Sequence, residues 1–290
     1  MTMKQTLTAC AVAVACVTAA QAECLPEAQV AELAQHYAAK TPAPNFAPLT
    51  DADSVCTRAR FNKLLAQQMG KVVGYKAGLT NPAVQKRFNT DKPVWGKLYE
   101  GMVRPSGFAV EAAFGARPLY EADMLVRVKS AAINHARTPL EVLDSIDQII
   151  PFIELPDLLV QAPPQLNGPG VAAINVGARL GVAGEPIRIP TTRGEQHALL
   201  DALERMSVQL TSEKGELLAP VGKGSDILGH PLQAVVWLAE ALLKEEITLQ
   251  PGDLVSLGSF SPLLPPRPGL SVTATYQGLP GARPVQVHFK

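Results

Sequence analysis

The stretch Pro118-Leu119-Tyr120-Glu121-Ala122-Asp123-Met124-Leu125-Val126-Arg127-Val128 constrains the fold more than any other. Its tail alternates branched and long side chains, which is the pattern of a β-strand. The strand period of two places Glu121 and Asp123 on one face, with Cβ atoms about 7 Å apart. Two carboxylates that close repel unless something positive lies between them. A third acid, Glu154, closes the apolar run Ile149-Ile150-Pro151-Phe152-Ile153. Three carboxylates converging from strands would make a hard, oxygen-rich site suited to Mg²⁺ or Mn²⁺. A half-exposed strand whose acids face water is the alternative that spacing alone leaves open.

The rest of the composition narrows the fold class. The 290 residues are 47% hydrophobic, enough for one large domain or one domain with a small appendage. With 25 Pro and 22 Gly, many short elements joined by turns are expected, more β than helical bundle. Lys plus Arg equals Asp plus Glu at 26 each, so no basic excess points to nucleic acid or a membrane surface.

The N-terminus reads as a cleaved signal peptide over residues 1–22. Lys4 is its basic region, Leu7 to Ala20 its apolar region and Ala20-Gln21-Ala22 its cleavage site. The apolar region is too short to span a bilayer, and no other stretch is long enough. A periplasmic mature chain starting at Glu23, with no membrane attachment after cleavage, is expected. It keeps two cysteines, Cys24 and Cys56, which read as a disulfide in an oxidising compartment; two unpaired buried thiols are the alternative.

Residues 23–70 form an expected helical part. Leu25 to Ala39 carries Val30, Leu33, Ala34 and Tyr37 at helical spacing, and a second helix runs from Thr50-Asp51 to about Gln68, with Val55, Ala59, Leu64 and Leu65 as its apolar side. Residues 71–290 form the expected catalytic domain. There Lys71 to Thr80 reads as a strand with Val72, Gly74 and Lys76 on one face. A lysine ending an apolar strand is a proton-transfer candidate, or a surface lysine with a buried stem. Asn81 to Phe88 is a short helix, Asp91 to Tyr99 is loop then strand, and Thr138-Pro139-Leu140-Glu141 opens a helix to about Asp147. Short strands are expected at Val171 to Gly177 and Ile187 to Ile189, and a hairpin joins Met206–Thr211 to Glu216–Ala219. A helix follows over Pro231 to Leu243, and strands over Leu254–Leu257, Leu270–Tyr276 and Val285–Phe289.

The chain has no G-x-S-x-G, H-E-x-x-H or C-x-x-C, and Gly222-Lys223-Gly224-Ser225 lacks the spacing of a phosphate loop. His230, before a helix-opening proline, reads as structural.

Several segments together resemble one family. They are Gly74-Tyr75-Lys76-Ala77-Gly78-Leu79-Thr80, Glu121-Ala122-Asp123, Glu154, and Gly224-Ser225-Asp226-Ile227-Leu228-Gly229-His230-Pro231-Leu232 through Trp237-Leu238-Ala239. In order and spacing the set is similar to the 2-keto-4-pentenoate hydratase branch of the fumarylacetoacetate hydrolase superfamily. That branch also holds the 2-oxo-3-hexenedioate decarboxylases.

The resemblance implies an α+β fold, a mixed, bent β-roll with flanking helices. It implies Mg²⁺ or Mn²⁺ held by Glu121, Asp123 and Glu154, Lys76 as the active-site lysine, and Gly258-Ser259 as the turn beside the substrate. Three positions depart from the pattern. Asp123 replaces the usual second Glu, Leu119 stands where Arg is usual, and Val94 stands where hydratases often carry a proton-moving Asp.

The implied chemistry starts with a small 2-oxo acid chelating the ion, which stabilises an enolate while Lys76 moves a proton at the remote carbon. Hydration of a substrate such as 2-hydroxypenta-2,4-dienoate, by a hydro-lyase, is the first expectation. Decarboxylation of the 2-oxo-3-hexenedioate type is the rival. A periplasmic 2-oxo-acid binding protein without turnover is a third reading, motivated by Val94 and Asp123. A homo-oligomer is left open.

Overall fold

The structure is a computed structural model that describes residues 22–290. The expected signal segment lies outside the described residues, apart from Ala22. Among the described residues no helix is long and apolar enough to cross a membrane.

The chain opens with helices α1 (Glu27–Ala39) and α2 (Asp51–Met69), then strand β1 (Val72–Gly78), helix α3 (Pro82–Arg87) and strands β2 (Val94–Tyr99), β3 (Val103–Pro105) and β4 (Phe108–Val110). Strand β5 (Glu121–Val128) leads to α4 (Pro139–Ser145), β6 (Ile146–Leu155) and α5 (Gly168–Ala173). Next come β7 (Leu180–Ala183), β8 (Ile187–Arg188), α6 (Arg193–Arg205), β9 (Ser207–Ser212) and β10 (Gly222–Lys223). Helix α7 (Gln233–Leu243) and strands β11 (Leu254–Ser256), β12 (Ser271–Gln277) and β13 (Val285–Phe289) complete the chain.

Two mixed sheets result. The larger runs β2-β1-β11-β5-β6-β7-β3, with β8 also on β6; the smaller runs β10-β9-β12-β13-β4. This is the expected α+β class. The main core lies between the sheets and under α7, joining Val126, Ile149 and Ile153 to Val272, Val287 and Leu238. The Tyr276 hydroxyl of β12 crosses between the sheets. It accepts the Phe152 amide (3.1 Å) and lies against the carbonyls of Phe152 (2.9 Å) and Asp123, so it pins β5 and β6 at the level of the acids.

Strand β1 is parallel to β11, with Gly74 opposite Leu254. A Cβ on Gly74 would stand 1.9 Å from the Leu254 carbonyl oxygen, so only glycine lets the strand carrying Lys76 come this close.

Helix α2 begins with a capping box, in which Thr50 accepts from Asp53 N–H and Asp53 accepts from Thr50 N–H. Its buried face departs from the expected one except at Leu65. Thr57, Arg58, Phe61 and Leu65 are buried, while Val55 is exposed. The physical reason is Arg58. It ion-pairs with Glu245 and lies 3.6 Å over the Trp95 ring, so a charged position becomes part of the inner face.

Three other expectations are corrected. Val171 to Gly177 is not a strand but helix α5 followed by a 3₁₀ turn, because the Asn167 side chain caps Gly170 N–H and starts a helix there. Glu216 to Ala219 makes one bridge, Thr211 to Leu217, and the edge partner of β9 is β10. The Thr138 helix ends at Ser145, and Asp147 already belongs to β6, where Arg127 of β5 binds its carboxylate through two nitrogens. Helix α6 had no counterpart in the sequence reading. Thr192 caps it at Glu195 N–H, and it buries little beyond Leu199 and Leu203, too sparse a stripe to stand out.

Candidate active site

The antiparallel pairing of β5 with β6 places Glu121 directly opposite Glu154. Like charges at such a position are destabilising unless a cation intervenes. Lys76 supplies one. Its Nζ donates to Glu154 Oε1, and to the Val176 carbonyl at 3.0 Å. All four charged groups are deep in the fold, with Lys76 3% exposed, Glu121 9%, Asp123 0% and Glu154 2%. The structure therefore buries Lys76 among the three acids, and none of the acids faces water.

Asp123 points toward β11. It accepts from the Ser256 hydroxyl and from Gly258 N–H at 3.0 Å. Gly258 has φ +100°, and a Cβ there would meet Thr80 Oγ1 at 2.2 Å, so the turn needs glycine twice over. Ser259 ties the turn off by donating to Ser261 O (2.6 Å) and accepting Ser261 N–H (3.1 Å). Gly258 and Ser259 thus sit beside the acids, and Gly258 also orients one of them.

The Val176 carbonyl reaches Lys76 from an unusual backbone. Asn175 (φ 56°) and Val176 (φ 55°) are both left-handed, which is costly for a β-branched residue. The Asn175 side chain holds this turn, accepting Lys97 N–H (2.7 Å) and donating to Lys97 O (2.9 Å) on β2. Sequence reasoning missed Ser256, Asn175 and Val176. None carries a motif, and each acts only through its place in the fold.

Burial, and then the charge of Glu154, raise the Glu121 carboxyl well above the ordinary carboxylate range, with Lys76 and Ser259 acting against them. The same two causes raise Asp123, opposed chiefly by its Ser256 hydrogen bond. Both shifts have the sign of negative charge that lacks compensation. Glu154 Oε2 is also buried with no hydrogen-bond partner. Three carboxylates face a single ammonium, and one of their oxygens is orphaned. By charge and donor type this set fits a hard divalent cation. Among the described residues, however, no three His, Cys, Asp or Glu side chains are gathered closely enough to hold a metal ion as they stand. Ser256 and Gly258 hold Asp123 to one side, and Lys76 holds Glu154.

A cavity of about 120 Å³ opens beside this cluster, lined by Lys76, Thr80, Glu121, Val176, Gly258 and Ser259 among others. Its outer wall is apolar, with Leu79, Val84, Phe88, Leu158 and Leu263. Val94 is not in that lining. It pairs with Gly78 across β1 and β2 and packs in an apolar cluster with Leu158, Val171 and Val176, so no acid approaches from that side. His230 is away from the cavity. Its Nδ1 accepts Leu232 N–H and its Nε2 meets Leu200 O, a structural role as expected.

A solved structure, 4-oxalocrotonate decarboxylase from Pseudomonas putida G7 complexed with magnesium and adipate, is 25% identical to the chain. It superposes with a TM-score of 0.74 over 92% of this chain and 99% of that one. The chain is similar in sequence and fold to members of the fumarylacetoacetate hydrolase superfamily. Its relatives are named for the two reactions of one branch. A 4-oxalocrotonate decarboxylase of Pseudomonas putida is 24% identical over 235 residues, covering 81% of this chain and 85% of the relative. A 2-keto-4-pentenoate hydratase of Burkholderia vietnamiensis is 27% identical over 214 residues, covering 73% and 77%. Fumarylpyruvate hydrolase from Pseudomonas aeruginosa, in complex with Mn²⁺ and pyruvate, shares the fold at 14% identity, with a TM-score of 0.54 over 74% of this chain and 88% of that one. No protein-family model matches the chain.

Proposed function

We propose that the protein is a metal-dependent hydro-lyase that hydrates a small unsaturated 2-oxo acid such as 2-hydroxypenta-2,4-dienoate. The observation that carries this reading is the buried Lys76–Glu154 pair facing Glu121 at the base of an apolar cavity. Several relatives named 2-keto-4-pentenoate hydratase support it. Glu121, Asp123 and Glu154 would hold Mg²⁺ or Mn²⁺, which when bound supplies a Lewis acid for the 2-oxo-acid head. Lys76, anchored by the Val176 carbonyl, would hold or move the proton at the substrate's remote carbon. Gly258 and Ser259 would border the substrate while Leu79, Phe88 and Leu263 exclude bulk water.

Decarboxylation is the second reading, favoured by the extent of the likeness to the decarboxylase structure and by apolar Val94. One experiment tests both. The Mg²⁺-loaded protein is incubated with 2-hydroxypenta-2,4-dienoate and, separately, with 2-oxo-3-hexenedioate, and products are read by mass. Gain of one water from the first is expected. Loss of CO₂ from the second alone would replace hydration by the rival, and no turnover of either would leave a binding protein.

We also propose that the chain is exported and cut before Glu23. Glu23 N–H donates to Asp53 at 2.7 Å, so a freed ammonium there would meet a carboxylate. Cys24 and Cys56 lie with Cα atoms 5.6 Å apart, a spacing suited to a bridge. Closing the intervening 32-residue separation would contribute about 3–4 kcal/mol in the chain-entropy picture. Periplasmically expressed protein should start at Glu23 and weigh two hydrogens less than the dithiol. Two free thiols titrating after denaturation would exclude the bridge.

A further inference from the structure

We propose that Asn175 is a positioning residue for proton transfer. Through the left-handed turn it holds, it aims the Val176 carbonyl at Lys76 and so fixes the direction of the ammonium. The proposal rests on the reading of Lys76 as the group that moves the substrate's proton.

Asn175, Val176 and Gly177 are left-handed in succession, at φ 56°, 55° and 63°. L-residues visit that region singly, and asparagine and glycine tolerate it where valine does not. A β-branched residue stays there only when its surroundings over-determine it, and such strain gathers at working sites. Three features do so here. The Asn175 side chain takes the place of a further strand on the free edge of β2, accepting Lys97 N–H (2.7 Å) and donating to Lys97 O (2.9 Å). Beside Lys97, Gly96 lets the turn lie against the strand, since a Cβ there would stand 2.5 Å from the Asn175 carbonyl oxygen. On β1, a Cβ on Gly78 would stand 2.4 Å from Val176 Cγ1. Both strands thus carry glycine where the turn packs, and Gly96 is the ladder partner of Lys76 itself. The clamp is therefore in register with the lysine that the turn serves.

The turn delivers one acceptor. An ammonium has three N–H donors. Lys76 gives one to Glu154 and one to the Val176 carbonyl at 3.0 Å, its two acceptors among the described residues. On a tetrahedral nitrogen two fixed acceptors set the direction of the third N–H, whereas one leaves the head free to rotate about that contact. Lys76 and Val176 both line the cavity, so the third donor is the one left for substrate. Glu154 is also among the acids that would hold the ion. The neutral carbonyl is the anchor that this second task does not share.

The test is Asn175→Gly, which accepts the left-handed backbone and removes only the clamp, so the chain should fold. In the Mg²⁺-loaded protein turning over 2-hydroxypenta-2,4-dienoate, kcat should fall about 10- to 100-fold, the cost of misplacing a reacting group by about 1 Å, with KM little changed. The solvent isotope effect on kcat should rise as the mis-aimed proton transfer becomes rate-limiting. Asn175→Asp keeps an acceptor for Lys97 N–H and a left-handed-tolerant residue, and should recover part of the rate. A second readout needs no turnover. Nitrogen-resolved NMR should show slowly exchanging Lys76 ammonium protons in the unaltered protein and lose them to exchange in Asn175→Gly. A folded Asn175→Gly that keeps the unaltered kcat and ammonium signal would overturn the proposal. So would a fall in kcat with isotope effect and signal unchanged, which marks loss of folded protein alone, or absence of the signal from the unaltered protein. Turnover of no 2-oxo acid by the unaltered protein would instead sink the proposed reaction, and the ammonium signal would then decide by itself whether Asn175 aims Lys76.

Discussion

Lys76→Met is expected to lower the catalytic rate by about 10²–10⁴, the usual worth of a positioned general acid or base. Met keeps the bulk of the stem and removes the amine. The structure adds a second consequence. Lys76 is the partner of buried Glu154, whose other oxygen already lacks one. Removing one member of a buried pair costs about 3–5 kcal/mol, because the remaining charge is left uncompensated. The metal-free variant should therefore melt well below the unaltered protein, and saturating Mg²⁺ should recover much of the loss by offering Glu154 a new cation. Thermal melts with and without Mg²⁺, beside steady-state rates, check both effects. A wild-type rate in a folded, Mg²⁺-binding variant would reduce Lys76 to a structural counter-ion and remove the central step of the proposed mechanism.

Glu121→Ala should act in opposite directions on the two states of the protein. Without metal it relieves the repulsion between Glu121 and Glu154 across the β5–β6 ladder, so the melting temperature should hold or rise. With metal it removes the one acid of the three that lines the cavity. Mg²⁺ affinity and activity should both be lost, and with them the stabilisation by bound ligand, about 2.7 kcal/mol at a concentration 100-fold above Kd. Calorimetry on the variant reads the affinity directly. Unchanged Mg²⁺ binding would show that the ion sits elsewhere or that these acids do not hold it.

Much of this site was legible in sequence because its carriers obey local rules. Strand alternation brought Glu121 and Asp123 to one region, and the apolar run before Glu154 marked a second buried strand. The Thr50 and Thr138 caps located two helix starts. Where reading failed, a long-range contact outweighed the local pattern. Arg58 lies on an inner face because Trp95 and Glu245 receive it from distant segments. Val171 to Gly177 has β-branched residues, yet Asn167 starts a helix and Asn175 locks a left-handed turn against β2.

By itself the sequence determined which elements carry chemistry: a strand ending near Lys76 and two apolar strands bearing acids, the Gly258-Ser259 turn being assigned only through the family resemblance. These follow from side-chain period, capping and turn chemistry, which act over a few residues. Only the tertiary structure decided how those elements meet. It set Glu121 opposite Glu154, brought Lys76 to Glu154 across 78 positions and turned Asp123 toward Ser256. Register and partner choice depend on loops closed between distant segments, and the free energy of that closure is shared by the whole core rather than written at any one residue.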